Sequence, residues 1–360
     1  MITFPVIKCA VQFKDNDNSN SKILLNWFLK YSEEQKTRVR KRAEMRGILT
    51  LQDRSYCRME IDMDIYKIND KFRIKVTDKC NFLCPFCHAE GGKSASDILV
   101  DTELEKALGM LKILYNNVHI TGGEPLLYNN LEILINVLED YGFNMAITTN
   151  GCFSLEQKWP ILKKFQYINF SLHSLNEAYF STLIGAGRNA SIFLDLITNN
   201  IKELRQRMSV RINTVVGADE NFQKVEDILD FAAKLNIELK LVPEWSVQVL
   251  AINNIMNLLS KKGFFLYEKI HLLPGSNIRE RYKNAQGQIV EVKKIDFYWP
   301  DFLCKNCDKK IICQEGFSFL RIGGNPLYFQ PCIFQNKLTP DEFQKNILPE
   351  LIHIFREAKK

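Results

Sequence analysis

From Phe72 onward the chain alternates short apolar segments with amphipathic ones, and this alternation limits the fold more than any other feature. Apolar residues recur at helical spacing in residues 104–114, 131–138 and 225–235. Six segments have the length and composition of strands: 72–77, 117–121, 144–149, 167–173, 209–216 and 237–242. Because right-handed helical crossovers join parallel strands, the pattern predicts an α/β fold with a partial (β/α)6 barrel whose strand ends meet at one mouth.

Local signals indicate where some of these elements begin and end. Thr102 and Glu105 have the spacing of a capping box at the start of the first helix, and Gly142 follows the second helix where a left-handed residue belongs. Beyond the sixth strand, residues 250–259 have a helical pattern, and residues 267–292 are predicted to form strands and turns. Folded structure is therefore expected to continue past the barrel.

Residues 1–70 are predicted to be an accessory region without recognisable chemistry. A helix is expected over residues 22–46, with a basic run over residues 36–46. That run is either a solvated face or a docking surface for an acidic peptide or an electron donor. Residues 57–66 have a strand-like pattern, and this strand is expected to pair with the next one through a turn at Asn69-Asp70.

The composition is typical of a globular cytoplasmic protein. Of 360 residues, 46% are hydrophobic and 25% charged, and the net charge of +6 permits an acidic substrate or partner without requiring one. No segment has the pattern of a secretory signal or the length of a membrane span, so no membrane partner is expected. Ten cysteines in a reducing compartment favour metal ligands over disulfides. Seven of them form two groups, and Cys9, Cys57 and Cys152 are interpreted as reduced thiols.

Period-two alternation predicts which strand residues face the barrel interior, which we call the lumen. The inward-facing set is polar and partly basic: Arg73, Lys75, Thr77, Asn169, Ser171, His173, Arg211 and Asn213. A purely structural barrel core is filled with branched apolar side chains, so this set indicates a polar ligand. The alternative is that individual members are satisfied by neighbours or lie at an exposed rim.

The first cysteine group follows the first predicted barrel strand. Cys80, Cys84 and Cys87 have the spacing Cys-x3-Cys-x2-Cys, and three thiolates this close can hold one metal cluster. A closed zinc site normally uses four ligands, whereas three cysteines suit a [4Fe-4S] cluster with one iron left open for chemistry. The alternative is a zinc knuckle completed by His88 or by a distant cysteine.

One βα unit later, the second predicted strand ends in Thr121-Gly122-Gly123-Glu124-Pro125, where two glycines let the backbone pass close to a ligand. Together with the three cysteines, this motif resembles the radical S-adenosylmethionine (SAM) superfamily. The resemblance implies that SAM chelates the open iron and that Gly122, Gly123, Glu124 and Pro125 bind its amino group. It also implies that an electron from the cluster cleaves SAM to a 5′-deoxyadenosyl radical, with a donor such as flavodoxin or ferredoxin.

Further segments resemble the GTP 3′,8-cyclase family of molybdenum-cofactor synthesis across residues 72–245. They are Arg73 to Asn81, Thr148-Thr149-Asn150-Gly151, Ser171 to Leu175 and Arg211 to Val216. Matched by position, the resemblance implies that SAM contacts come from Phe86, Gly123, Ser171 and Trp245, with Asn213 also positioning SAM. It implies that Arg73, Thr149 and Arg211 contact a purine nucleotide.

Departures from that family favour a different substrate. His119 stands where the cyclase strand before Thr-Gly-Gly-Glu-Pro carries a nucleotide-binding arginine, and Arg211 stands where it carries a lysine. The chain also ends in Phe355 to Lys360, without the Gly-Gly tail that the cyclase inserts into its active site. The chain is therefore expected to be a relative that acts on another substrate.

The second cysteine group consists of Cys304, Cys307, Cys313 and Cys332. With the segment around Arg321, it resembles the auxiliary-cluster region of the cyclase and of Twitch or SPASM radical SAM enzymes, which implies a second, auxiliary [4Fe-4S] cluster. A zinc ribbon uses similar spacing and is the alternative. The cyclase holds its auxiliary cluster with three cysteines, so Cys313 is either a fourth ligand that closes the cluster or a free thiol.

These features predict an N-terminal accessory region (1–70), a radical SAM partial barrel (71–245) and a C-terminal auxiliary-cluster region (246–360). The predicted function is modification of a natural-product precursor, a peptide or a nucleotide-like small molecule, by the 5′-deoxyadenosyl radical. The substrate space is expected to be lined by Arg73, His119, Thr149, Arg211 and Arg321. A divergent GTP 3′,8-cyclase is the alternative among enzymes, and a zinc-dependent nucleic-acid-binding module is the alternative of another class.

Overall fold

The computed structural model describes most of the chain beyond residue 63. The described residues are 64–87, 96–185, 188–217, 222–244, 247–275, 277–295, 299–310, 313 and 317–359. The helix predicted over residues 22–46 lies outside them with its basic run, as do Cys9, Cys57, His88 and Trp245.

The described residues contain one twelve-stranded sheet with helices around it. Its strands are β1 Asp64–Ile68, β2 Lys71–Lys75, β3 Asn117–Thr121, β4 Asn144–Thr149, β5 Tyr167–Ser171, β6 Ser209–Val216, β7 Glu238–Pro243, β8 Phe265–Leu273, β9 Asn277–Lys283, β10 Ile289–Ile295, β11 Arg321–Gly323 and β12 Tyr328–Gln330. The helices are α1 Thr102–Lys112, α2 Leu131–Asp140, α3 Leu155–Leu162, α4 Glu177–Ile184, α5 Ala190–Arg205, α6 Phe222–Lys234, α7 Gln248–Lys261, α8 Asp301–Cys304, α9 Pro340–Asn346 and α10 Leu348–Ala358. The strand order is β1-β8-β9-β10-β7-β6-β5-β4-β3-β2-β11-β12.

The six strands predicted for the barrel are confirmed as β2 to β7. Consecutive members of this set are neighbours in the sheet and pair in parallel, from β2 with β3 to β6 with β7. Helices α1, α2 and α6 confirm the three helical patterns of the sequence. The sheet is a curled, partial barrel, and the carboxyl ends of its parallel strands share one edge, as predicted.

Strands from the C-terminal third of the chain extend this barrel on both sides. β10 pairs in parallel with β7 and antiparallel with β9, which in turn pairs antiparallel with β8. On the other side β11 pairs in parallel with β2 and antiparallel with β12. The strands predicted between residues 267 and 292 and the helix predicted at 250–259, now α7, are therefore confirmed.

The pairing predicted for the strand before Asn69-Asp70 is wrong. β1 pairs in parallel with β8 at one end of the sheet, whereas β2 lies near the other end. Only Asn69 and Asp70 connect the two strands, and the backbone N–H of Asn69 donates to the carbonyl of Leu273 at 2.6 Å. A two-residue link can join strands at opposite ends of a sheet only if the sheet curls until its ends are close.

Side-chain amides bridge the gap that this curling leaves. Asn69 Nδ2 from one end of the sheet and Asn277 Nδ2 from β9 both donate to the carbonyl oxygen of Ser318, at 3.1 and 2.8 Å. Ser318 lies three residues before the start of β11, and all three residues are buried. Two hydrogen bonds to the Ser318 carbonyl therefore connect the two ends of the curled sheet, which no strand pairing joins in the described residues.

The ends of α1 and α2 show one correction and one confirmation. Asp101, and not Thr102, caps α1, because its carboxylate accepts from the backbone N–H groups of Glu103 and Leu104 at 3.0 Å. The Asp101 carboxylate, one residue earlier, already accepts from the N–H of Leu104, which a Thr102 cap would need as its donor. Gly142 has a φ of +69° and donates to Glu139, as expected for a left-handed residue after a helix.

The hydrophobic core lies between the sheet and the surrounding helices. Phe72 and Ile74 of β2 and Leu104, Leu108 and Leu111 of α1 are completely buried, and each belongs to this core. The alternate residues of each strand face the lumen instead. No helix in the described ranges is long and apolar enough to cross a membrane.

Candidate active site between two cysteine groups

The first cysteine group lies on the loop that leaves the carboxyl end of β2. Cys80 and Cys87 are exposed and Cys84 is half-buried. The backbone N–H of Cys87 donates to the carbonyl of Cys84 at 3.1 Å, which forms a tight turn between two of the thiols. Phe82 anchors the loop edge-on against Phe180 of α4, with ring centroids 5.7 Å apart. The three thiols are thus held on a fixed, accessible loop.

The three thiols are close enough to influence one another. Burial raises the pKa of Cys84 to about 12, and the neighbouring Cys87 and Cys80 thiols add to that shift. Burial also raises the pKa of Cys80, with Glu124 and Cys87 contributing. Thiols that mutually oppose ionisation need a cationic centre between them to become thiolates, as a metal cluster provides.

Backbone hydrogen bonds join the cysteine loop to the glycine motif that follows β3. Gly123 N–H donates to the carbonyl of Thr77, and Glu124 N–H donates to that of Lys79, both at 2.8 Å. A Cβ at Gly122 would lie 2.6 Å from the oxygen of Thr77, and one at Gly123 would overlap the backbone of Lys79. Only glycine permits this approach, so the two motifs form one continuous surface at the sheet edge.

The Glu124 carboxylate points into the protein. It accepts from Thr149 Oγ1 at 2.8 Å, from the N–H of Asn150 at 2.7 Å and from the N–H of Leu126 at 3.1 Å. Burial raises its pKa, and these hydrogen bonds oppose the rise. Glu124 therefore fixes the course of the loops after β3 and β4, and it leaves the backbone of Gly122 and Gly123 to face a ligand.

Asn150, which the sequence analysis did not single out, connects the cysteine loop to β4. Its Nδ2 donates to Asn81 Oδ1 at 2.6 Å, and its Oδ1 accepts from the N–H of Cys152 at 3.0 Å. The signal was present in the Thr-Thr-Asn-Gly segment, but no spacing rule distinguishes an asparagine that bridges two loops from one that only forms a turn.

Phe86, Ser171 and Asn213 lie on the same side of the barrel mouth as the cysteine loop. The Phe86 ring packs edge-on against His173, with centroids 4.8 Å apart. Burial lowers the pKa of His173 to about 3, and its Nδ1 accepts from the N–H of Val215 at 3.1 Å, so this ring is a neutral support. Asn213 pairs in register with Ser171.

The side-chain carbonyl of Asn213 is an unused acceptor. Its Oδ1 is buried and has no hydrogen-bond partner in the described residues. Because buried polar atoms are almost always paired, an acceptor of this kind at the barrel mouth suits a donor group of a bound molecule. SAM carries ammonium and ribose hydroxyl donors, so the residues here fit SAM.

His119 lies in the lumen in a neutral hydrogen-bonded pair. Its Nε2 is 2.7 Å from Thr148 Oγ1 and 3.4 Å from Asn169 Nδ2. Burial places the pKa of His119 well below its usual value, and the cations of Lys71 and Arg73 lower it further. Thr148 is thus the threonine beside His119, whereas Thr149 lies at Glu124 on the side of β4 that faces the helices.

Three predicted arginines lie in the lumen on two sides of the barrel. Arg73 of β2 and Arg321 of β11 are paired in register, and the Arg73 guanidinium lies 4.6 Å from the centroid of the Phe319 ring. Across the lumen, the Arg211 guanidinium is 4.4 Å from the centroid of the Tyr167 ring, and its Nε is 3.7 Å from Glu238 Oε2. The lumen is therefore basic, as alternation predicts.

The sequence analysis missed four further charged residues of the lumen. Lys71 of β2 donates to the hydroxyl of Tyr167 at 3.3 Å. Lys240 of β7 and Arg279 of β9 share the Glu291 carboxylate, at 2.6 and 3.8 Å. Alternation could have placed Lys71 and Lys240, which fall on or beside predicted strands. It could not place Arg279 and Glu291, because β9 and β10 were not assigned to the barrel sheet.

The second cysteine group lies at the opposite edge of the sheet. Cys332 follows β12, which runs antiparallel to β11, so it lies near the amino ends of the parallel strands. Burial raises the pKa of Cys304 to about 12, and Cys332, Cys313 and Cys307 each contribute to the rise. All four thiols are therefore neighbours, and the lumen lies between this group and the Cys80 loop.

Neither group forms a site for a single metal ion in the described residues, because no three Cys, His, Asp or Glu side chains converge closely enough. The thiols of each group are nevertheless near one another. An iron-sulfur cluster is held by thiolates around its outside, so its ligands need not meet at one point.

Comparison with known proteins agrees with this arrangement. Residues 74–232 match the family model described as the Radical SAM superfamily. A probable GTP 3′,8-cyclase of Thermococcus kodakarensis is 30% identical over 302 residues, which cover 79% of this chain and 93% of that protein. The chain therefore belongs to the radical SAM superfamily, whose members bind a [4Fe-4S] cluster and SAM.

Within the superfamily, the chain is similar to GTP 3′,8-cyclases. A second probable GTP 3′,8-cyclase, of Thermoplasma volcanium, is 26% identical over 259 residues, covering 68% of this chain and 77% of that protein. Among solved structures, Streptococcus suis SuiB bound to S-adenosylmethionine has a TM-score of 0.51 at 16% identity, over 78% of this chain. The match spans 65% of that SuiB chain, just under two thirds of its length. The structure of Streptococcus suis SuiB bound to the precursor peptide SuiA also has a TM-score of 0.51 at 16% identity. That match covers 92% of this chain and 78% of the SuiB chain.

Membership of this superfamily decides between an enzyme and a nucleic-acid-binding module. The protein is an enzyme, and the interpretation as a zinc-dependent nucleic-acid-binding module is wrong. The likeness to SuiB supports the fold, a partial radical SAM barrel.

Proposed function

We propose that this protein generates a 5′-deoxyadenosyl radical from SAM and uses it to modify a natural-product precursor, either a peptide or a nucleotide-like small molecule. The observation that carries the proposal is the hydrogen-bonded junction between Thr77–Lys79 and Gly122–Glu124 at the mouth of a polar, basic lumen. When bound, a [4Fe-4S] cluster supplies the electron that cleaves SAM to the radical.

The roles of the residues at the mouth follow from their positions. The first cluster would be held by Cys80, Cys84 and Cys87. SAM would be held by Phe86, Gly122, Gly123, Glu124, Pro125, Ser171 and Asn213. Trp245, which lies outside the described residues, is added from the sequence resemblance alone. Among these, Gly122 and Gly123 offer backbone groups, and Glu124 acts indirectly because its carboxylate is used inside the protein. Asn213 offers its unpaired buried acceptor.

The substrate would occupy the lumen below SAM. Arg73, Arg211 and Arg321 provide cationic contacts there, and neutral His119 provides a hydrogen-bonding group. SuiB, whose fold this chain shares, is described with a precursor peptide bound. That likeness supports a peptide, and the relatives named GTP 3′,8-cyclase support a nucleotide-like molecule.

A divergent GTP 3′,8-cyclase remains the second candidate, because the curated relatives carry that name. The neutral His119, where that family carries an arginine, argues against it, since one cation for a nucleotide is lost. Incubation of the reconstituted enzyme with GTP, SAM and dithionite separates the two. GTP-dependent formation of a cyclised nucleotide would establish the cyclase. Radical formation without GTP consumption supports another substrate.

We also propose that Cys304, Cys307, Cys313 and Cys332 all bind an auxiliary [4Fe-4S] cluster. The mutual influence of the four thiols supports this set. A cluster with four thiolate ligands has no open iron, so it would transfer electrons or stabilise the fold and would not bind the substrate directly.

Pulsed electron paramagnetic resonance of the reduced Cys80/Cys84/Cys87→Ala protein tests the closed auxiliary cluster. We expect no nitrogen hyperfine coupling from added imidazole, because no iron is open. In a Cys313→Ala protein built on the same background, an iron becomes open and the coupling should appear. Coupling before that substitution, with a spectrum that Cys313→Ala leaves unchanged, would show that Cys313 is a free thiol.

An electron donor such as flavodoxin or ferredoxin, and a cytoplasmic location that keeps the thiols reduced, complete the proposal. The basic run at residues 36–46 stays a candidate donor surface from the sequence alone.

A further inference from the structure

A cavity lies at the end of the parallel strands opposite the glycine motif. This cavity has a volume of about 180 Å³ and lies where β2, β3, β4 and β5 begin. Its polar and charged lining consists of Lys67, Asn69, Asp70, Lys71, Asn117, Asn144, Gln166, Tyr167 and Arg279. Sites for whole drug-sized ligands usually measure about 300–1,000 Å³, so this space suits one small polar group of a ligand.

The cavity lining carries three cationic side chains, Lys67, Lys71 and Arg279, and one carboxylate, Asp70, so cations exceed carboxylates there. In the described part of the chain, Lys71 has no carboxylate within ion-pair distance, and its ammonium donates to the neutral hydroxyl of Tyr167. Arg279 shares the single carboxylate of Glu291 with Lys240. Two cations, Arg279 of the cavity and Lys240 beside it, therefore share one carboxylate, and Lys71 forms no ion pair in the described residues.

The lowered pKa of Lys71 agrees with the small number of carboxylates near it. Burial places the pKa of Lys71 well below its usual value, and Arg279, Lys240, Arg73 and Arg211 lower it further. A lysine surrounded by cations is stabilised in its charged form only if an anion approaches. A carboxylate or phosphate in the cavity would provide that anion and would accept charge-assisted hydrogen bonds.

We propose that this cavity is a binding subsite for an anionic group, a carboxylate or a phosphate, held by Lys71 and Arg279 with Tyr167 as a neutral donor. The inference rests on the proposed function in one respect: the group is taken to belong to the substrate. A substrate anchored here extends through the lumen toward the SAM side, because the cavity and the glycine motif lie at opposite ends of the same strands.

Binding of small anions to the reconstituted protein tests the subsite without any turnover. Inorganic phosphate and glutarate are titrated at low ionic strength by isothermal calorimetry. We expect saturable binding of at least one of them, and the tighter of the two identifies phosphate or carboxylate as the natural group. Lys71→Met and Arg279→Gln should each weaken that binding at least tenfold, whereas Lys71→Arg should stay within about threefold of the unaltered protein.

Lys106→Met is the matched control, because Lys106 is an exposed lysine on the outer face of α1. It should leave the anion affinity unchanged. Saturable binding that Lys71→Met and Arg279→Gln do not alter would overturn the proposal, and so would the absence of binding by both anions. SAM cleavage in the absence of substrate, measured on the same samples, distinguishes this failure from failure of the proposed function, because the cavity lies away from the cysteine loop.

Discussion

The space at Gly123 determines whether the cysteine loop and the glycine motif can lie against each other. Gly123→Ala would force a Cβ into the backbone of Lys79, which cannot move without breaking the hydrogen bond from Glu124. We expect a loss of about 1–3 kcal/mol in the free energy of unfolding, together with loss of SAM binding. Chemical denaturation and equilibrium dialysis with labelled SAM measure the two effects.

Gly109→Ala is the control for that substitution. Gly109 lies within α1, and an added Cβ would meet only Tyr141 at an ordinary 3.7 Å. Because alanine favours a helix over glycine by about 1 kcal/mol, this variant should be as stable as the unaltered protein or slightly more so. If both glycine variants behave alike, the close approach at Gly123 is not what holds the loops together.

Arg211 separates substrate binding from radical formation. Arg211→Ala removes a lumen cation that lies over the Tyr167 ring, two residues before Asn213 along β6. Loss of one donor of a charged pair should cost about 2–5 kcal/mol in substrate binding while leaving substrate-free SAM cleavage intact. The exposed Arg207, which pairs with Glu203 at 3.6 Å, provides the control Arg207→Ala. Equal loss of both activities in Arg211→Ala would assign Arg211 to SAM or to folding.

Residue positions could be predicted from the sequence where one rule sufficed. Period-two alternation placed Arg73, Asn169 and Arg211 on the lumen face, because successive side chains of a strand point to opposite faces of the sheet. It could not place the Glu124 carboxylate, which turns inward because three donors from neighbouring loops meet there. Two of those donors, Thr149 and Asn150, lie about 25 residues further along the chain, so the contact depends on tertiary structure.

The pairing of β7 with β10 depends on a buried ion pair. Lys240 Nζ is 2.6 Å from Glu291 Oε1, and Glu291 is only 5% exposed. Burial acts to raise the pKa of Glu291, but Lys240 and Arg279 outweigh it and hold that pKa at about 2. Glu291→Gln would leave two half-buried cations without their carboxylate, so we expect a loss of about 3–5 kcal/mol in the free energy of unfolding.

The exposed pair between Glu203 and Arg207 serves as the comparison. Glu203→Gln should change stability by no more than about 0.5 kcal/mol, because exposed ion pairs contribute little. Urea denaturation of both variants at neutral pH measures the difference. Similar stability of the two variants would mean that Glu291 is not needed to hold β10 against the barrel.

Elements of the barrel could be predicted because each was locally encoded. β2 to β7 and their helices have periodic patterns, and their parallel order follows from the crossover rule. The partner of β1 could not be predicted, because Asn69-Asp70 looks like a hairpin turn and only the curled sheet makes it a link between opposite ends. Likewise, Asp101 replaces Thr102 as the cap because the two candidates are adjacent and only geometry distinguishes them.

At the scale of the whole molecule, the lumen connects two cysteine groups at opposite edges of one sheet. The first group lies beside the glycine motif, and the second lies near the anion cavity that Lys71 and Arg279 line. The sequence indicated both groups and a polar lumen. That the two groups lie at opposite edges of the sheet could not be predicted. It depends on the parallel pairing of β11 with β2, and β11 has only three residues, too few for a recognisable strand pattern.

The central claim is that the loop of Cys80, Cys84 and Cys87 is the place of SAM cleavage. The most direct test is the amount of 5′-deoxyadenosine that anaerobically reconstituted protein releases from SAM under dithionite, with iron content measured on the same samples. The unaltered protein should release it. The Cys80/Cys84/Cys87→Ala protein should release none while keeping the iron of the second cysteine group. Release of 5′-deoxyadenosine by that triple variant would contradict the account.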